Sequence, residues 1–534
     1  MGGFPKKKES GYLNRKKIAQ LIIARLDGKD INKKFNYYQS LVKKGIGGFI
    51  IFGGKLKEVS TAIKKLQDSA EIPLFIASDL EQGLGQHIEG GTLFPPAMAI
   101  GQAINPKNRN DIALLRKSIS IIAQEARACG INTIFAPVLD VNTNPKNPII
   151  CTRAFSDNPQ KVAWFGNEFI KGFQKHGIIA CAKHFPGHGD TIKDSHKELP
   201  AVKADIKRLR DIELYPFSQA VKAGIKMIML GHLKVPALDS KFPSSLSQKT
   251  VHGLLRERMR FKGLVITDAM NMHAIRYVEE KACLMALNAG ANIILHPSNP
   301  EKIIDYLSSR WDEIRTRVEE SFQRIVKVKS EINSVQRTAY SIQRIGAKAH
   351  WETAKELTQK SIKIKLKEGH SLTDFCHSRA GGNPELDIKR LDSCFRRNDI
   401  TGRSSKQIVV LIIDEDNNNS GKPFVNALKK RYKKIKALYV DNNSQLKNSS
   451  LVTCHSSLII AVFSKISAWK GRSGLSMKLR NILKKAIRNS SYSMLVGFCS
   501  PYFLRGDLKA DATIEAYSDS VEVQEAAGKI LCGP

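Results

Sequence analysis

Short apolar runs alternate with longer amphipathic stretches over the first 345 residues, and this alternation limits the possible folds more than any other feature. Each run is typical of a buried strand, and each longer stretch has helical spacing. Strands that are apolar on both faces belong to parallel sheets covered by helices. Seven such units favour a closed (β/α)8 barrel of the TIM type. The predicted strands are Gly48–Phe52, Leu74–Ala77, Thr133–Val138, Ile178–Ala182, Lys226–Leu230, Leu264–Thr267 and Asn292–His296.

Polar, titratable residues follow or end six of these seven runs. Barrel enzymes carry their chemistry at the carboxyl ends of the strands, so these residues predict an active site at that end. They are Asp79, Asp140, Lys183 with His184, His232, Asp268 and His296.

The segment from Lys183 to His196 reads K-H-F-P-G-H-G-D-T-I-K-D-S-H and follows an apolar run directly. Asp194 can accept a hydrogen bond from one ring nitrogen of His196, which leaves the other nitrogen for proton transfer. Asp268 emerges from a buried strand and is a candidate nucleophile for a sugar carbon. The spacing therefore predicts acid–base and nucleophilic groups at one barrel mouth.

Metal binding is the alternative use of this loop, because its histidines and aspartates could also be ligands. A barrel metallohydrolase would open with a His-x-His pair on its first strand, but here that run ends Phe52-Gly53-Gly54. The spacing of an HExxH helix is also missing. We expect no metal and no other cofactor.

A second, smaller α/β sandwich domain is predicted for residues 406–534, after a barrel domain at 1–345 and a linker at 346–405. Residues 376–398 have no apolar periodicity and predict a disordered insertion within that linker. The strands expected in the second domain are Ile408–Ile413, Ile435–Val440, Ser457–Phe463 and Ser493–Phe498, with a helix at Ser476–Arg488.

The formal net charge is +35, from 85 basic and 50 acidic residues. The lysines are spread along the chain without a nucleic-acid-binding motif, so we expect no nucleic-acid partner, although a non-catalytic binder of anionic polymers stays an alternative. No apolar run is long enough for a membrane span or a signal peptide, and the nine cysteines form no CxxC pair. These features favour a cytoplasmic protein; they do not indicate an oligomeric state.

Several motifs together resemble glycoside hydrolase family 3, in particular its bacterial β-N-acetylglucosaminidases. The resemblance covers residues 45–300 in order, and the second domain is similar around Ser467–Gly471, Ser500–Tyr502 and Ala510-Asp511. The motifs are Lys183–Thr191 with Asp194-Ser195-His196, Ala136–Asn142, Asn144-Pro145, Asn147-Pro148, Thr152-Arg153, Phe155 and Ile266–Met270.

The resemblance implies a retaining double displacement, with Asp268 as nucleophile and His196, oriented by Asp194, as acid and base. It implies a carbohydrate substrate with terminal β-linked N-acetylglucosamine, such as a peptidoglycan fragment in cell-wall recycling. A β-glucosidase or a glycoside phosphorylase of the same family is the nearest alternative. The residues implied to hold the sugar are Asp79, Arg153, Lys183, His184 and His87.

The chain departs from the family pattern at a few positions near the site. The family usually reads Asp-Gln-Glu-Gly-Gly-Arg where this chain has Asp79-Leu80-Glu81-Gln82-Gly83-Leu84, and His87 stands where arginine is common. Cys151 replaces a usual glycine and Ala154 a usual serine. These changes bear on substrate affinity and on the preferred aglycone rather than on the chemistry.

Overall fold

A computed structural model describes residues 5–195, 197–334, 341–366, 408–417, 420–432, 434–443, 457–466, 470–471, 473–490, 492–505 and 507–532. His196 and the segment 376–398 lie outside these ranges, so what was expected of them stays a prediction. The chain divides into two compact units. They comprise Met1–Ala97 with Arg109–Ala354, and Met98–Asn108 with Lys355–Pro534.

The first unit contains a closed barrel of eight parallel strands in sequential order. The last strand pairs with the first, Ile22 opposite Ile294, which closes the barrel. The predicted TIM-type fold is therefore confirmed. The strands are β1 Ile22–Asp27, β2 Gly48–Phe52, β3 Phe75–Ser78, β4 Thr133–Ile134, β5 Ile179–Phe185, β6 Met227–Leu230, β7 Leu264–Ala269 and β8 Ile293–Leu295.

The first strand, β1, is the one that the sequence pattern does not predict. It follows the helix Pro5–Gln20 after a single residue, without a glycine or proline to separate the two elements. Arg25 also interrupts its apolar run and is the exposed residue of the strand. The sequence pattern therefore missed β1 because a helix precedes it directly and a charged residue lies within it.

The predicted bounds of β4 and β5 need correction. β4 is a regular strand only over Thr133–Ile134, although backbone bonds continue to join it to β5, such as Leu139 N–H to Lys183 O at 2.7 Å. β5 extends to Phe185, because Phe185 pairs with Leu230 beyond a bulge. Lys183 and His184 are thus the last part of a strand rather than the start of a loop.

Amphipathic helices cover the barrel. The helix Leu56–Asp68 shows the pattern, since its buried residues Val59, Ala62, Ile63 and Leu66 recur at helical spacing. No helix in the described part of the chain is both long and apolar enough to cross a membrane. The longer helices are Pro5–Gln20, Phe35–Lys43, Leu56–Asp68, Arg109–Cys129, Pro159–Lys175, Tyr215–Lys222, Glu279–Ala289, Pro300–Ser308, Trp311–Ser334 and Lys348–Ser361, with π-helical turns at Leu209–Glu213 and Lys249–Arg258.

The second unit is built on a six-stranded sheet in the order Ile435–Asp441, Ile408–Asp414, Ser457–Phe463, Tyr492–Phe498, Ala512–Glu515 and Lys363–Leu366, in which only the last strand is antiparallel. Apolar clusters cover both of its faces, which gives the predicted α/β sandwich. The strands are β9 Lys363–Leu366, β10 Ile408–Asp414, β11 Ile435–Asp441, β12 Ser457–Phe463, β13 Tyr492–Phe498 and β14 Ala512–Glu515, and the helices include Lys422–Lys429, Met477–Arg488 and Val521–Cys532.

The first part of the segment expected to be a linker, 346–405, has regular secondary structure. Residues 348–361 form a helix, and β9 adds an edge strand to the second sheet through Ile364 opposite Ile514. The alternation of Ile364 and Leu366 with exposed lysines is the signal for this half-buried strand. The short length of the strand made that signal easy to overlook.

A buried carboxylate fastens the segment after the barrel to a barrel helix. Glu125 is fully buried and accepts hydrogen bonds from Thr92 N–H at 2.9 Å and Thr92 Oγ1 at 2.7 Å. It also accepts from Gly346 N–H at 2.9 Å and from His350 Nδ1 at 2.6 Å. Four donors on two distant segments therefore depend on one side chain.

We expect Glu125→Ala to lower the free energy of unfolding by about 3–5 kcal/mol, because it leaves several buried donors without an acceptor. Urea-induced unfolding followed by circular dichroism measures this change. Glu352→Ala, at an exposed ion pair with Lys348 on the neighbouring helix, is the control and should cost less than about 1 kcal/mol. Equal small losses in the two variants would contradict the anchoring role.

Candidate active site

The mouth of the barrel gathers the polar residues that the sequence pattern singled out. Each belongs to the carboxyl end of a strand or to the loop that follows it, which is the position that barrel enzymes use for catalysis. Seven of the eight predicted site residues are described: Asp79, His87, Arg153, Lys183, His184, Asp194 and Asp268.

Four charged side chains form a connected cluster at this mouth. Lys183 Nζ lies 2.7 Å from Asp79 Oδ1 and 2.7 Å from Glu81 Oε1. Arg153 binds Glu81 through two bonds, Nε to Oε2 at 2.9 Å and Nη2 to Oε1 at 2.7 Å. The structure thus brings together Asp79, Arg153 and Lys183, and joins them through a fourth residue, Glu81.

The cluster keeps its charges despite burial. Burial alone would raise the pKa of Glu81, but Arg153 and Lys183 hold it far below its ordinary value. Burial would likewise lower the pKa of Lys183, which Asp79 and Glu81 instead raise. Because Lys183 is only 2% exposed and pairs with two carboxylates, its ammonium group has a fixed position.

A fully buried carboxylate, Asp140, organises the end of β5. Its Oδ2 lies 2.7 Å from His184 Nδ1, and its Oδ1 accepts the backbone N–H groups of His184 at 3.2 Å and His188 at 2.6 Å. A carboxylate can only accept, so Nδ1 of His184 carries the proton and Nε2 is the nitrogen left for a ligand.

Asparagine side chains and one glycine lock the loops after β4 and β5 together. Asn147 Nδ2 donates to the carbonyl oxygens of His188 at 2.9 Å and Gly189 at 3.2 Å. A Cβ atom on Gly189 would lie 1.8 Å from Val141 O, so only glycine permits this approach. The loop that follows β5 therefore begins from a rigid base.

Asp268 lies at the end of β7, half-buried, and its Oδ1 accepts the N–H of Ala269 at 2.8 Å. His232 supports the same strand end, with Nε2 at 3.1 Å from Ala269 O and Nδ1 at 2.7 Å from Ser245 Oγ. Since a carbonyl oxygen only accepts, Nε2 is protonated and Ser245 donates to Nδ1. His232 thus positions β7 and is not available for proton transfer.

Asp194 lies in the loop after β5 and is 3% exposed. Its backbone oxygen accepts from Lys197 N–H at 3.0 Å and from Glu198 N–H at 3.1 Å, so the loop turns sharply at this residue. The pairing of Asp194 with His196 stays a prediction, because His196 is outside the described residues.

Two of the family departures have clear local consequences. Nε2 of His87 is buried without a hydrogen-bond partner among the described residues, and burial lowers the pKa of the ring below its ordinary value. Cys151, where glycine is usual, has a φ of 41° and is fully buried. The left-handed backbone explains the usual glycine, and the cysteine therefore carries backbone strain.

Glu81 is the site residue that the sequence pattern missed. Glu81 sits two positions after Asp79, where a carboxylate in a loop gives no periodic signal. Its position near Asp79 in the sequence was the one signal for it. Two carboxylates at a mouth that also holds Lys183 and Arg153 are expected to form ion pairs with them.

Comparison with known proteins agrees with this geometry. Residues 13–328 match the family described as "Glycosyl hydrolase family 3 N terminal domain". The chain belongs to glycoside hydrolase family 3. No group of three or more histidine, cysteine, aspartate or glutamate side chains that could hold a metal ion occurs within the described residues.

Relatives of this family 3 chain include hexosaminidases. "Beta-hexosaminidase A" of Pseudoalteromonas piscicida is 34% identical over 323 residues, which is 54% of this chain and 54% of that protein. A β-hexosaminidase of Methylobacillus flagellatus is 33% identical over 275 residues, 50% of this chain and 78% of that protein. A "Beta-N-acetylglucosaminidase/beta-glucosidase" of Cellulomonas fimi is 28% identical, with 60% of each chain covered. The family 3 chain thus spans about half the length of the first of these relatives.

Solved structures extend the likeness to both units of the family 3 chain. A family 3 β-N-acetylglucosaminidase from Paenibacillus sp. FPU-7 is 25% identical, with a TM-score of 0.78 and coverage of 97% of this chain and 96% of that one. A β-glucoside phosphorylase is 20% identical, with a TM-score of 0.81 and coverage of 99% and 94%. The second likeness shows the fold alone.

His188 predicts a sensitivity of the barrel to acid. Burial lowers its pKa from 6.5 to about 4, so the unfolded chain takes up a proton that the folded one refuses. The contribution of neutral His188 to the free energy of unfolding is fully present above pH 6.5. It falls by about 3 kcal/mol as the pH drops from 6.5 through about 4.

The urea midpoint, measured from pH 7 to pH 4, tests this linkage. His188→Gln should fall less steeply with pH than the wild type, because it removes the titrating ring. His252→Gln, at an exposed ion pair with Glu257, should keep the wild-type slope. Parallel slopes in all three proteins would show that His188 does not titrate in this range.

Proposed function

We propose that this chain is a retaining glycoside hydrolase that releases terminal β-linked N-acetylglucosamine, with peptidoglycan fragments of cell-wall recycling as its substrates. The observation that carries the proposal is the placement of a half-buried carboxylate, Asp268, at the barrel mouth that also holds the Asp79–Glu81–Lys183–Arg153 cluster. Two relatives of the chain are β-hexosaminidases by name, which supports the choice of sugar.

The proposed first step forms a covalent intermediate. Asp268 attacks the anomeric carbon and the bond to the leaving oxygen breaks, while His196 donates a proton to that oxygen. In the second step His196, now neutral, takes a proton from water, and the water oxygen displaces Asp268 from the anomeric carbon. Asp194 orients His196 and stabilises its charged form.

The remaining candidates would hold the sugar. Lys183 and Arg153 offer fixed donors, whereas Nε2 of His184 and the carboxylate of Asp79, whose side chain is 27% exposed, offer acceptors. His87 offers Nε2, which has no hydrogen-bond partner among the residues that the structure describes. Hydrogen bonds that strengthen as positive charge develops on the sugar ring lower the barrier to reaction rather than merely improving binding.

Whether water or phosphate accepts the sugar from Asp268 distinguishes a hydrolase from a phosphorylase. A neutral histidine beside the intermediate repels an anion less than a carboxylate would, so phosphate could compete with water. Nitrophenyl N-acetylglucosaminide and nitrophenyl glucoside, each assayed with and without phosphate, distinguish hydrolase, glucosidase and phosphorylase. Product analysis after incubation with muropeptides then tests the natural substrate.

The proposal also places the reaction in the cytoplasm. Buried free thiols at Cys129, Cys181 and Cys283 support this, because reduced cysteines persist there. The high net charge leaves a second candidate, a non-catalytic binder of anionic polymers. Tight binding of such a polymer at physiological salt without cleavage of any glycoside would favour that candidate instead.

Asp268→Asn should lower kcat for nitrophenyl N-acetylglucosaminide by roughly 10³-fold or more, because the amide is a poor nucleophile. An activated fluorosugar of the same configuration should label Asp268, as peptide mass spectrometry would reveal. Asp211→Asn, at an exposed pair with Arg210, is the control and should keep full activity. A label on a different carboxylate would refute the assignment.

His196→Ala should slow poor leaving groups far more than good ones, since a nitrophenolate departs without a proton and a sugar alkoxide does not. We expect a loss of about 10²–10⁴-fold for a disaccharide and a much smaller loss of the first step for a dinitrophenyl glycoside. Pre-steady-state measurement of phenol release separates the two steps. The same loss for both substrates would contradict the acid role.

A further inference from the structure

Three charged side chains that the double displacement does not use join the two ends of the segment that carries Asp194. Arg208 Nη2 lies 3.0 Å from Asp190 Oδ1 and 3.4 Å from Glu213 Oε1. Asp190 comes before Asp194 in the chain, and Arg208 comes after it. The ion pair between Asp190 and Arg208 therefore closes the intervening chain into a loop at its base. We call Asp190, Arg208 and Glu213 the Arg208 network.

The Arg208 network also ties this segment to the loop after β4. Thr143 Oγ1 donates to Asp190 Oδ1 at 3.2 Å and accepts from Arg208 Nη2 at 3.2 Å. Asn144 Nδ2 donates to the backbone oxygen of Asp190 at 3.1 Å. Three donors from two other segments thus fix Asp190, and the chain that continues toward Asp194 leaves this residue in a defined direction.

Glu213 is the buried end of the Arg208 network. It is 1% exposed and ends the π-helical turn Leu209–Glu213. A Cβ atom on Gly187 would lie 2.8 Å from the Cβ of Glu213, so the start of the loop after β5 packs directly on this side chain. Neither Glu213 Oε2 nor Arg208 Nε has a hydrogen-bond partner among the described residues. Unpartnered buried groups cost free energy, so a network kept for stability alone would be expected to satisfy them.

The far end of the segment is held as well. Val202 N–H donates to Lys234 O at 2.9 Å, and Lys234 N–H donates to Pro200 O at 2.9 Å, which joins the chain to the loop after β6. Between the two attachments the chain carries Asp194, which is 3% exposed, and His196, the expected proton donor. Fixed ends reduce the number of conformations open to the intervening chain, so the attachments determine where these side chains lie.

We propose that Arg208 is a positioning residue for proton donation: by holding Asp190 it directs the loop after β5 so that His196 meets the leaving oxygen. This inference rests on the proposed function and adds a residue to it. In this role Arg208 acts through Asp190 and contacts neither the sugar nor the reacting atoms. A displacement of about 1 Å can cost a catalytic step about 10²-fold in rate, so a weakened loop base should impair proton donation. Asp268 lies on another strand, β7, and its attack should be unaffected.

Aryl β-N-acetylglucosaminides that differ in the acidity of the leaving group, from dinitrophenyl to phenyl, test this role with the full chain. The quantity measured is the slope of kcat/KM, which reports the first step, against the pKa of the departing phenol. We expect a shallow slope for the wild type and a steep one for His196→Ala, with Arg208→Gln in between. Arg208→Gln should lose about tenfold with the phenyl substrate and less than about twofold with the dinitrophenyl substrate.

The slope separates positioning from a loss of stability. A destabilised variant contains less active protein, which lowers kcat/KM for every substrate by the same factor and leaves the slope unchanged. Arg208→Lys keeps the charge but loses the planar guanidinium, so its slope should lie between those of the wild type and Arg208→Gln. Should Arg208→Gln not fold, Asp190→Asn weakens the same ion pair and carries the same expectation. Adding Arg208→Gln to His196→Ala should cost nothing further with the phenyl substrate, because no proton donor is left to misplace.

Arg116→Gln is the matched control, because Arg116 also binds a largely buried carboxylate, with Nε 2.7 Å from Glu168 Oε2, but on helices outside the barrel. It should keep the wild-type slope. An unchanged slope in Arg208→Gln, or a further loss when that change is added to His196→Ala, overturns the positioning role alone. If His196→Ala itself keeps the wild-type slope, or the wild type cleaves none of these glycosides, the proposed function fails and this inference fails with it.

Discussion

The three hydrogen bonds that Asp140 accepts hold the active-site mouth in shape. A carboxylate with no exposed surface must be compensated inside the protein, and here the compensation comes from the backbone of His184, the ring of His184 and the backbone of His188. These contacts fix the end of β5, from which Lys183 reaches toward the charged cluster. They also fix the start of the loop that carries Asp194.

The charged cluster shows how the same mouth accommodates a polar ligand. Lys183 and Arg153 share Glu81, so each cation is already paired when the ligand arrives and need not be desolvated again. Preorganised charges of this kind cost little reorganisation during a reaction.

The sequence pattern predicted the barrel better than it predicted the contacts within it. Buried strands such as β2 and β12 match their predicted bounds, because continuous apolar runs report burial on both faces. β1 escaped prediction because Arg25 breaks its run, and the extent of β5 depends on a bulge that only pairing with β6 reveals. Local pattern carries no information about such pairing.

The same difference applies to the site, where the sequence predicted residues but not the contacts between them. Motif resemblance singled out Asp79, Lys183 and His184, and the structure brings each to the mouth. It could not indicate that Glu81 joins two of the cations, or that His232 binds a carbonyl oxygen instead of transferring protons. Both facts are relations between distant segments, and they follow from the barrel's closure rather than from any one stretch of sequence.

The contact between Gly189 and Val141 has a consequence for any redesign of this protein. The two loops approach so closely that a single added methyl group would displace a neighbouring main chain. Neither loop can therefore be exchanged alone for that of a homologue with another specificity. A successful graft must transplant residues 136–151 and 183–198 as one unit, because Asn147 of the first segment binds the backbone of the second.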